Sequence, residues 1–165
     1  MTSGLETGFS GNWHTDPITL RDVALDRDAL EARLTRCPAL ERVWILGVLD
    51  RTREAISEGR ELLYAATDRL RPLLVLAQAY QRQYSWHEAA RLQEEALRLA
   101  RTRAREAIVR HQIGRRLFDE ARYRDAAAEF EWERDLFRTT GHRDQLVQAS
   151  QQALDRAREL ARCAL

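Results

Sequence analysis

Residue types that commonly carry out catalysis or bind metals are present in this sequence but are scattered along it. The four His residues form no H-x-x-x-H pair and the two Cys residues form no Cys-x-x-Cys pair, so the usual zinc-ligand spacings are missing. Gly8-Phe9-Ser10-Gly11 lacks the Gly-x-Ser-x-Gly spacing of a hydrolase nucleophile. No glycine-rich phosphate loop occurs either. These patterns predict a protein that is not an enzyme and that binds no metal or cofactor.

Arginine is the residue type with the greatest capacity for recognition. All 27 basic residues are Arg, and they are balanced by 26 acidic residues, which leaves a net charge of +1. This balance produces no overall field toward nucleic acid or an anionic membrane. We attribute the lack of Lys to the coding bias of a GC-rich, bacterial-type genome. Electrostatic recognition must therefore be local.

One segment has an uneven distribution of charge. Residues 101–116 contain six Arg and one Glu, whereas residues 119–135 contain seven acidic residues and three Arg. Two interpretations remain open, namely salt bridges between the two stretches and a basic binding face. Nucleic-acid binding through the Arg-rich stretch is disfavoured, because no aromatic residues alternate with the Arg residues.

Neither a membrane span nor an export signal is predicted from this sequence. It has no run of 18 apolar residues, and residues 1–16 lack the basic and apolar regions of a secretory leader. We therefore expect a cytoplasmic protein with no membrane partner. Cys37 and Cys163 are predicted to be free thiols rather than a disulfide, because they lie far apart in a chain expected in a reducing compartment.

Helices are the elements predicted to position the side chains. Hydrophobic residues make up 44% of the chain, enough for a globular core, and from Ile18 onward they recur three and four residues apart with no strand-like alternation. A helix is predicted within residues 18–37, where Asp26 and Asp28 can cap it and Pro38 ends it. Further helices are predicted at 39–51, 53–67, 69–83, 86–100, 103–119, 122–138 and 143–162.

The N-terminal residues 1–17 show neither hydrophobic period and are rich in Gly, hydroxyl and amide side chains. We expect a flexible arm. Phe9 and Trp13 complicate this interpretation, because large aromatic residues in a polar arm can fold back onto the domain or insert into a neighbouring molecule.

An internal repeat relates two pairs of the predicted helices. The two pairs match when one is shifted by 37 residues along the sequence. Small residues, aromatic residues and an acidic residue followed by Ala then coincide in both helices of each pair. The matches are Ala77-Gln78-Ala79-Tyr80 with Gly114-Arg115-Arg116-Leu117, Trp86 with Tyr123, and Glu88-Ala89 with Asp125-Ala126.

An earlier copy of the repeat is weaker. Glu54-Ala55 precedes Glu88-Ala89 by 34 residues, whereas Gly47 precedes Ala77 by only 30. This mismatch predicts that the turn of the first pair is about four residues shorter.

These positions together resemble the tetratricopeptide repeat (TPR) family. The stretch Gly114-Arg-Arg-Leu-Phe-Asp-Glu-Ala-Arg-Tyr-Arg-Asp-Ala-Ala-Ala-Glu-Phe is close to the family consensus, although Gln93 stands where the next copy has Phe130. The resemblance implies an all-α fold, a short α-solenoid of about three TPR-like helical hairpins in residues 38–142 with a capping helix in 143–165. A non-repeat helical bundle is the alternative.

The resemblance also implies a binding groove lined by the first helix of each hairpin. The groove contains four Arg residues beside two large aromatic residues, so we expect it to favour an extended acidic segment with a hydrophobic anchor. The implied groove residues are Trp44, Val48, Arg51, Arg71, Leu74, Gln78, Gln81, Arg82, His111, Gln112, Arg115 and Phe118.

Two functions follow from this interpretation. The first is a non-catalytic adaptor that holds a peptide or a partner protein in the groove. The second is a helical scaffold, such as a homodimer, that associates with itself through an open repeat edge or the aromatic arm. A concentration-dependent mass separates them.

Overall fold

The computed structural model describes residues 11–141 and 144–164. Of these, 74% are helical, and one small two-stranded sheet is the remaining regular element, which confirms the predicted all-α class. The strands are β1 (Trp13–Thr15) and β2 (Asp22–Ala24). The helices are α1 (Arg27–Arg33), α2 (Ala39–Val48), α3 (Thr52–Ala65), α4 (Leu70–Arg82), α5 (Trp86–Leu99), α6 (Arg103–Asp119), α7 (Tyr123–Thr139) and α8 (Asp144–Cys163).

The seven long helices lie where the hydrophobic period predicts them, with ends that shift by up to three residues. Local capping explains two of the starts. The Asp26 carboxylate accepts the backbone N–H of Ala29 before α1, and the Thr102 hydroxyl accepts that of Arg105 before α6. Each bond satisfies one of the backbone donors that the first turn of a helix leaves unpaired.

The prediction for the N-terminal region is correct for the short helix and wrong for the segment before it. The helix predicted within residues 18–37 is α1 (Arg27–Arg33), which follows its Asp26 cap and ends before Cys37. Strand β2 (Asp22–Ala24) lies in a segment that was expected to contain no strand. β1 and β2 are antiparallel, with Trp13 opposite Ala24 and Thr15 opposite Asp22. Three residues are too few for alternation to be detected. The predicted arm 1–17 therefore contains a strand, and Phe9 lies outside the described residues.

The chain divides into two compact units, each described separately. Unit A comprises residues 11–15 and 22–99, in which α2 packs on α3 and α4, and α4 packs on α5. Unit B comprises residues 16–21 and 100–164, in which α7 packs between α6 and α8. Helix α8, which lies where the capping helix is predicted, buries apolar residues in its central part, at Ala153, Leu154 and Ala157.

The three helical hairpins, α2–α3, α4–α5 and α6–α7, have the same turn. In each turn one residue adopts a left-handed conformation, and the residue after it donates its N–H to a carbonyl five positions back, as in a Schellman motif. The left-handed residues are Asp50, Tyr84 and Ala121. The bonds are Arg51 to Leu46 (2.9 Å), Ser85 to Tyr80 (3.0 Å) and Arg122 to Leu117 (2.9 Å).

This shared turn shows that the predicted shortening of the first hairpin is wrong. The left-handed residues follow one another at 34 and 37 residues, and the acidic-Ala steps have the same offsets. Val43, and not Gly47, therefore corresponds to Ala77 and Gly114. On α3 the residue that corresponds to Gln93 and Phe130 is Gly59.

Candidate functional site

Strands β1 and β2, which we call the ribbon, lie on the first helices of unit A. The Trp13 ring meets the Trp44 ring of α2 edge to face, with the centroids 4.8 Å apart and the planes at 70°. Trp13 is only 7% exposed and belongs to the same core cluster as Leu30 and Leu34 of α1. Of the two possibilities left open for Trp13, the structure shows the first, in which the ring folds back onto the domain.

Asp22 is the polar centre of this contact and is only 1% exposed. One carboxylate oxygen accepts the Thr15 hydroxyl of the neighbouring strand (3.0 Å), and the other accepts Nε1–H of Trp44 (3.2 Å). The backbone carbonyl of Asp22 accepts Nη2–H of Arg82 on α4 (2.7 Å). Helix α2 thus binds the one carboxylate of this strand through an indole, and α4 binds a backbone carbonyl of the strand through a guanidinium.

Arg82 reaches this position across the surface of Gly47. A Cβ atom added at Gly47 would lie 3.5 Å from Cδ of Arg82, an ordinary van der Waals distance. The same guanidinium lies 3.8 Å from the Asp50 carboxylate in the first hairpin turn. The aliphatic part of Arg82 therefore lies against α2 at Gly47, where an Ala would also fit, while its charged end contacts the ribbon.

Arg51 binds elsewhere, on the surface formed by α1 and α3. Its guanidinium pairs with Glu54 at 2.7 Å and with Glu31 at 3.0 Å. The hydrogen bond to Glu54 is the main cause that raises the pKa of Arg51, and the same bond lowers the pKa of the Glu54 carboxyl. Arg51 therefore pairs with carboxylates of α1 and α3, whereas Trp44 and Arg82 contact the ribbon.

The other predicted groove residues of unit A differ in exposure. Leu74, Val48 and Gln81 are buried, and Gln78 is partly buried. Arg71, in the first turn of α4, is exposed and has no carboxylate within 4 Å among the described residues. Arg71 is thus the groove cation of unit A that is available to an external anion.

In unit B the predicted residues are mostly buried. Nδ1 of His111 lies 3.0 Å from the Glu133 carboxylate, and the Phe118 ring contacts that of Tyr123 edge to face at 5.2 Å. Gln112 is buried, and Arg115 is only 5% exposed. Positions expected to face a ligand are therefore largely covered within the folded chain.

Loop residues 16–21, which connect the strands, also contact the helices of unit B. Nε of Arg21 donates to the Asp119 carboxylate at the end of α6 (3.0 Å), and Arg156 of α8 donates to the carbonyl of Ile18 (3.2 Å). Asp119 is the residue that corresponds to Arg82 in the repeat. The same repeat position thus contacts N-terminal residues in both units, with opposite charge.

The uneven charge of residues 101–135 is explained in part by salt bridges. Arg110 pairs with Glu106 on α6 and with Glu129 on α7, and Arg116 pairs with Glu120. The Arg110 guanidinium also lies 3.8 Å from the centroid of the Trp132 ring. Mutual pairing of the two stretches is therefore observed.

Sequence reasoning found Trp44 and Arg82 but missed the strand that they bind. Trp13 was the available signal, whereas nothing in the sequence singled out Asp22.

Both cysteines are free, as predicted. Within residues 11–141 and 144–164, no cluster of three or more potential metal ligands occurs, and no helix is long and apolar enough to span a membrane. No family model, curated protein or solved structure matches this chain.

Proposed function

We propose that this chain is a non-catalytic, TPR-like interaction module whose first-helix face binds an extended acidic segment of a partner protein. One observation carries the proposal: Trp44 and Arg82 already bind the carboxylate and the carbonyl of Asp22 in an extended strand. The groups that bind this strand have the chemistry needed to bind another one. The three equivalent turns support the TPR-like assignment.

The charges on α4 favour an acidic partner. Arg71 and Arg82 are 11 residues apart, which is three helical turns, so they lie on the same side of the helix. Arg71 is exposed and unpaired among the described residues. A charge-assisted hydrogen bond from an Arg contributes about 1.5–3 kcal/mol where it is partly shielded from water. A partner carboxylate near Arg71 would therefore add affinity to the backbone contacts at Arg82.

The test compares two exposed arginines that differ in the helix on which they lie. Arg71 is on α4, and Arg53 is on α3, outside the predicted groove and also without an ion pair among the described residues. A partner is first recovered by chemical cross-linking to the full chain, and its affinity is then measured by calorimetry at two salt concentrations. We expect Arg71→Glu to weaken binding about tenfold or more and to reduce the salt dependence, whereas Arg53→Glu leaves both unchanged.

Equal losses in the two variants would instead indicate a general charge effect, and no loss in either would place the partner on another surface. Arg115 is left unchanged, because a Glu at a buried position would introduce an unpaired charge and reduce stability.

Self-association is the second candidate function, and exposed aromatic residues favour it. Tyr64 on α3 is 95% exposed and Trp132 on α7 is 51% exposed, and aromatic residues are enriched in protein interfaces. Light scattering over a range of concentrations tests this function. A mass that rises with concentration in the parent and not in Trp132→Ser would support it.

A further inference from the structure

We propose that the ribbon is an intramolecular ligand of the α2–α4 face and that a partner replaces it there. The partner segment must be extended and must present an aromatic ring beside a carboxylate, as Trp13 and Asp22 do. This inference rests on the proposed function and adds to it the chemistry of the partner and the competition for the site.

The contacts of the ribbon define what a replacement must supply. Trp13 supplies a ring against the edge of Trp44, and Asp22 supplies an acceptor for the indole N–H and another for Arg82. Trp44 itself is buried. If the ribbon left with no replacement, Trp44 would lose its edge-to-face contact with Trp13 and its hydrogen bond to Asp22. An occupant that lacks either the ring or the carboxylate leaves one of these groups unmatched.

When the ribbon leaves, the contacts of its loop with Asp119 and Arg156 must also break, but the helix that follows the ribbon can stay in place. It consists of two three-residue strands, and a two-stranded ribbon of this size is only marginally stable in isolation. Its last backbone contacts run from Leu25 and Asp26 to the carbonyl of Asn12. Helix α1 has its own cap at Asp26 and its own buried anchors, Leu30 and Leu34. The segment at Leu25, an exposed residue, is therefore a natural hinge.

Side chains on the two faces of the ribbon provide a matched pair of variants. Trp13, Thr15, Asp22 and Ala24 share one face of the ribbon, because side chains alternate along a strand and these residues are paired. His14 and Val23 lie on the opposite face. Changes at Trp13 and Asp22 remove the contacts with α2, whereas changes at His14 and Val23 alter the same strands and preserve those contacts.

The experiment uses a fluorescent synthetic peptide with the sequence of residues 11–25 and three full-length proteins. These are the parent, the variant Trp13→Ala/Asp22→Ala and the control His14→Ala/Val23→Ala. We expect the Trp13/Asp22 variant to bind the peptide at least about tenfold more tightly than the parent and the control do. A peptide with the same two alanines should not bind any of them. Equal affinity for all three proteins, or equal binding of the alanine peptide, would overturn the proposal.

Hydrogen exchange of the parent gives a second measurement that does not depend on any variant being folded. The proposal requires the amides that pair β1 with β2 to exchange faster than those in the middle of α2 and α4. Exchange as slow as that of the helices would overturn it, since the ribbon would then be a fixed part of the core.

The two proposals can fail separately. If the ribbon amides exchange as slowly as those of the helices but Arg71→Glu weakens binding of the recovered partner, the ribbon is not displaced, and the partner binds the α4 surface around Arg71 and not Trp44 and Arg82, which the ribbon covers. If the peptide binds the Trp13/Asp22 variant but Arg71→Glu and Arg53→Glu do not affect the partner, the ribbon is a displaceable ligand and the partner binds elsewhere.

Discussion

The first and third helical hairpins share a close contact between their paired helices, and each has a glycine at that contact. The glycine lies on the second helix of the first hairpin and on the first helix of the third. In α2–α3 the larger residue is Val43 on the first helix, and a Cβ added at Gly59 would lie 3.3 Å from its Cγ1. In α6–α7 the glycine is Gly114 on the first helix, and an added Cβ would lie 2.6 Å from Cε1 of Phe130. Close packing at this position depends on the combined size of the two residues, because either helix can supply the larger one.

The largest expected effect on stability is at Phe130, the large residue that faces Gly114 in the third hairpin. Phe130 is completely buried, so Phe130→Ala should lower the free energy of unfolding by about 3–5 kcal/mol through lost burial and a residual cavity. Chemical denaturation measures this change. Trp132→Ala on the same helix is the control, because Trp132 is 51% exposed and its loss should cost about 1 kcal/mol or less. Similar losses in both variants would contradict the described packing.

The second-largest effect is the difference in stability between substitutions at the two glycines. Gly114→Ala should cost about 1–3 kcal/mol, because the new methyl group meets a rigid ring, and Gly114→Leu at least as much. Gly59→Ala should be nearly neutral, since the atom closest to its Cβ is the flexible end of Leu76 and Ala gains roughly 0.5–1 kcal/mol in helix propensity over Gly.

A double mutant can show that the Phe130 ring is responsible for the cost. The penalty of Gly114→Ala should decrease in a Phe130→Leu background, measured by the same denaturation experiment as a double-mutant cycle. An unchanged penalty would mean that something other than the ring excludes the methyl group.

The two cysteines should react at different rates. Burial is the main cause that raises the pKa of the Cys37 thiol above its ordinary value of 9.0, and the Glu41 carboxylate adds to it. A raised pKa leaves less thiolate at pH 8, and the thiolate is the reactive form. Alkylation with iodoacetamide, followed by mass spectrometry, should modify the exposed Cys163 first. In denaturant the two rates should converge.

The smallest expected effect concerns a surface ion pair that the first and third turns share. Arg51–Glu54 and Arg122–Asp125 occupy the same repeat positions, each at 2.7 Å. The hydrogen bond from Arg51 lowers the pKa of Glu54 below its ordinary value of 4.5, so its contribution is present above that pH and is lost as the pH falls through the lowered pKa. Glu54→Gln should therefore be slightly less stable than the parent at pH 7 and equal to it in acid. A difference that persists in acid would assign the effect to packing.

The long helices could be predicted because a 3.6-residue period becomes evident over ten or more residues. The ribbon could not, because each strand has three residues and its position depends on the tertiary contact between Trp13 and Trp44. The register of the first hairpin was misassigned for a different reason. A small residue was expected at this position of the first helix, and Gly47 of α2 was taken for it, whereas the equivalent position holds Val43 and the glycine that faces it, Gly59, lies on the second helix.

Part of the candidate site was also accessible from the sequence. Arg71 and Trp44 were placed on the correct helices, because position along an amphipathic helix follows from spacing alone. The burial of Trp44 and Arg115 was not predictable, since it depends on which segments far away in sequence cover those helices.

The left-handed residues of the three turns are Asp50, Tyr84 and Ala121, with φ between 58° and 64°. Three different side chains at one backbone geometry mean that the hydrogen bonds, and not the side chain, determine how the chain enters the next helix. A segment of 34 residues inserted at such a turn would begin and end in the same geometry as the hairpins already present. Duplication of a hairpin-length segment at one of these turns would therefore add a whole hairpin and leave the helices on either side in their present register.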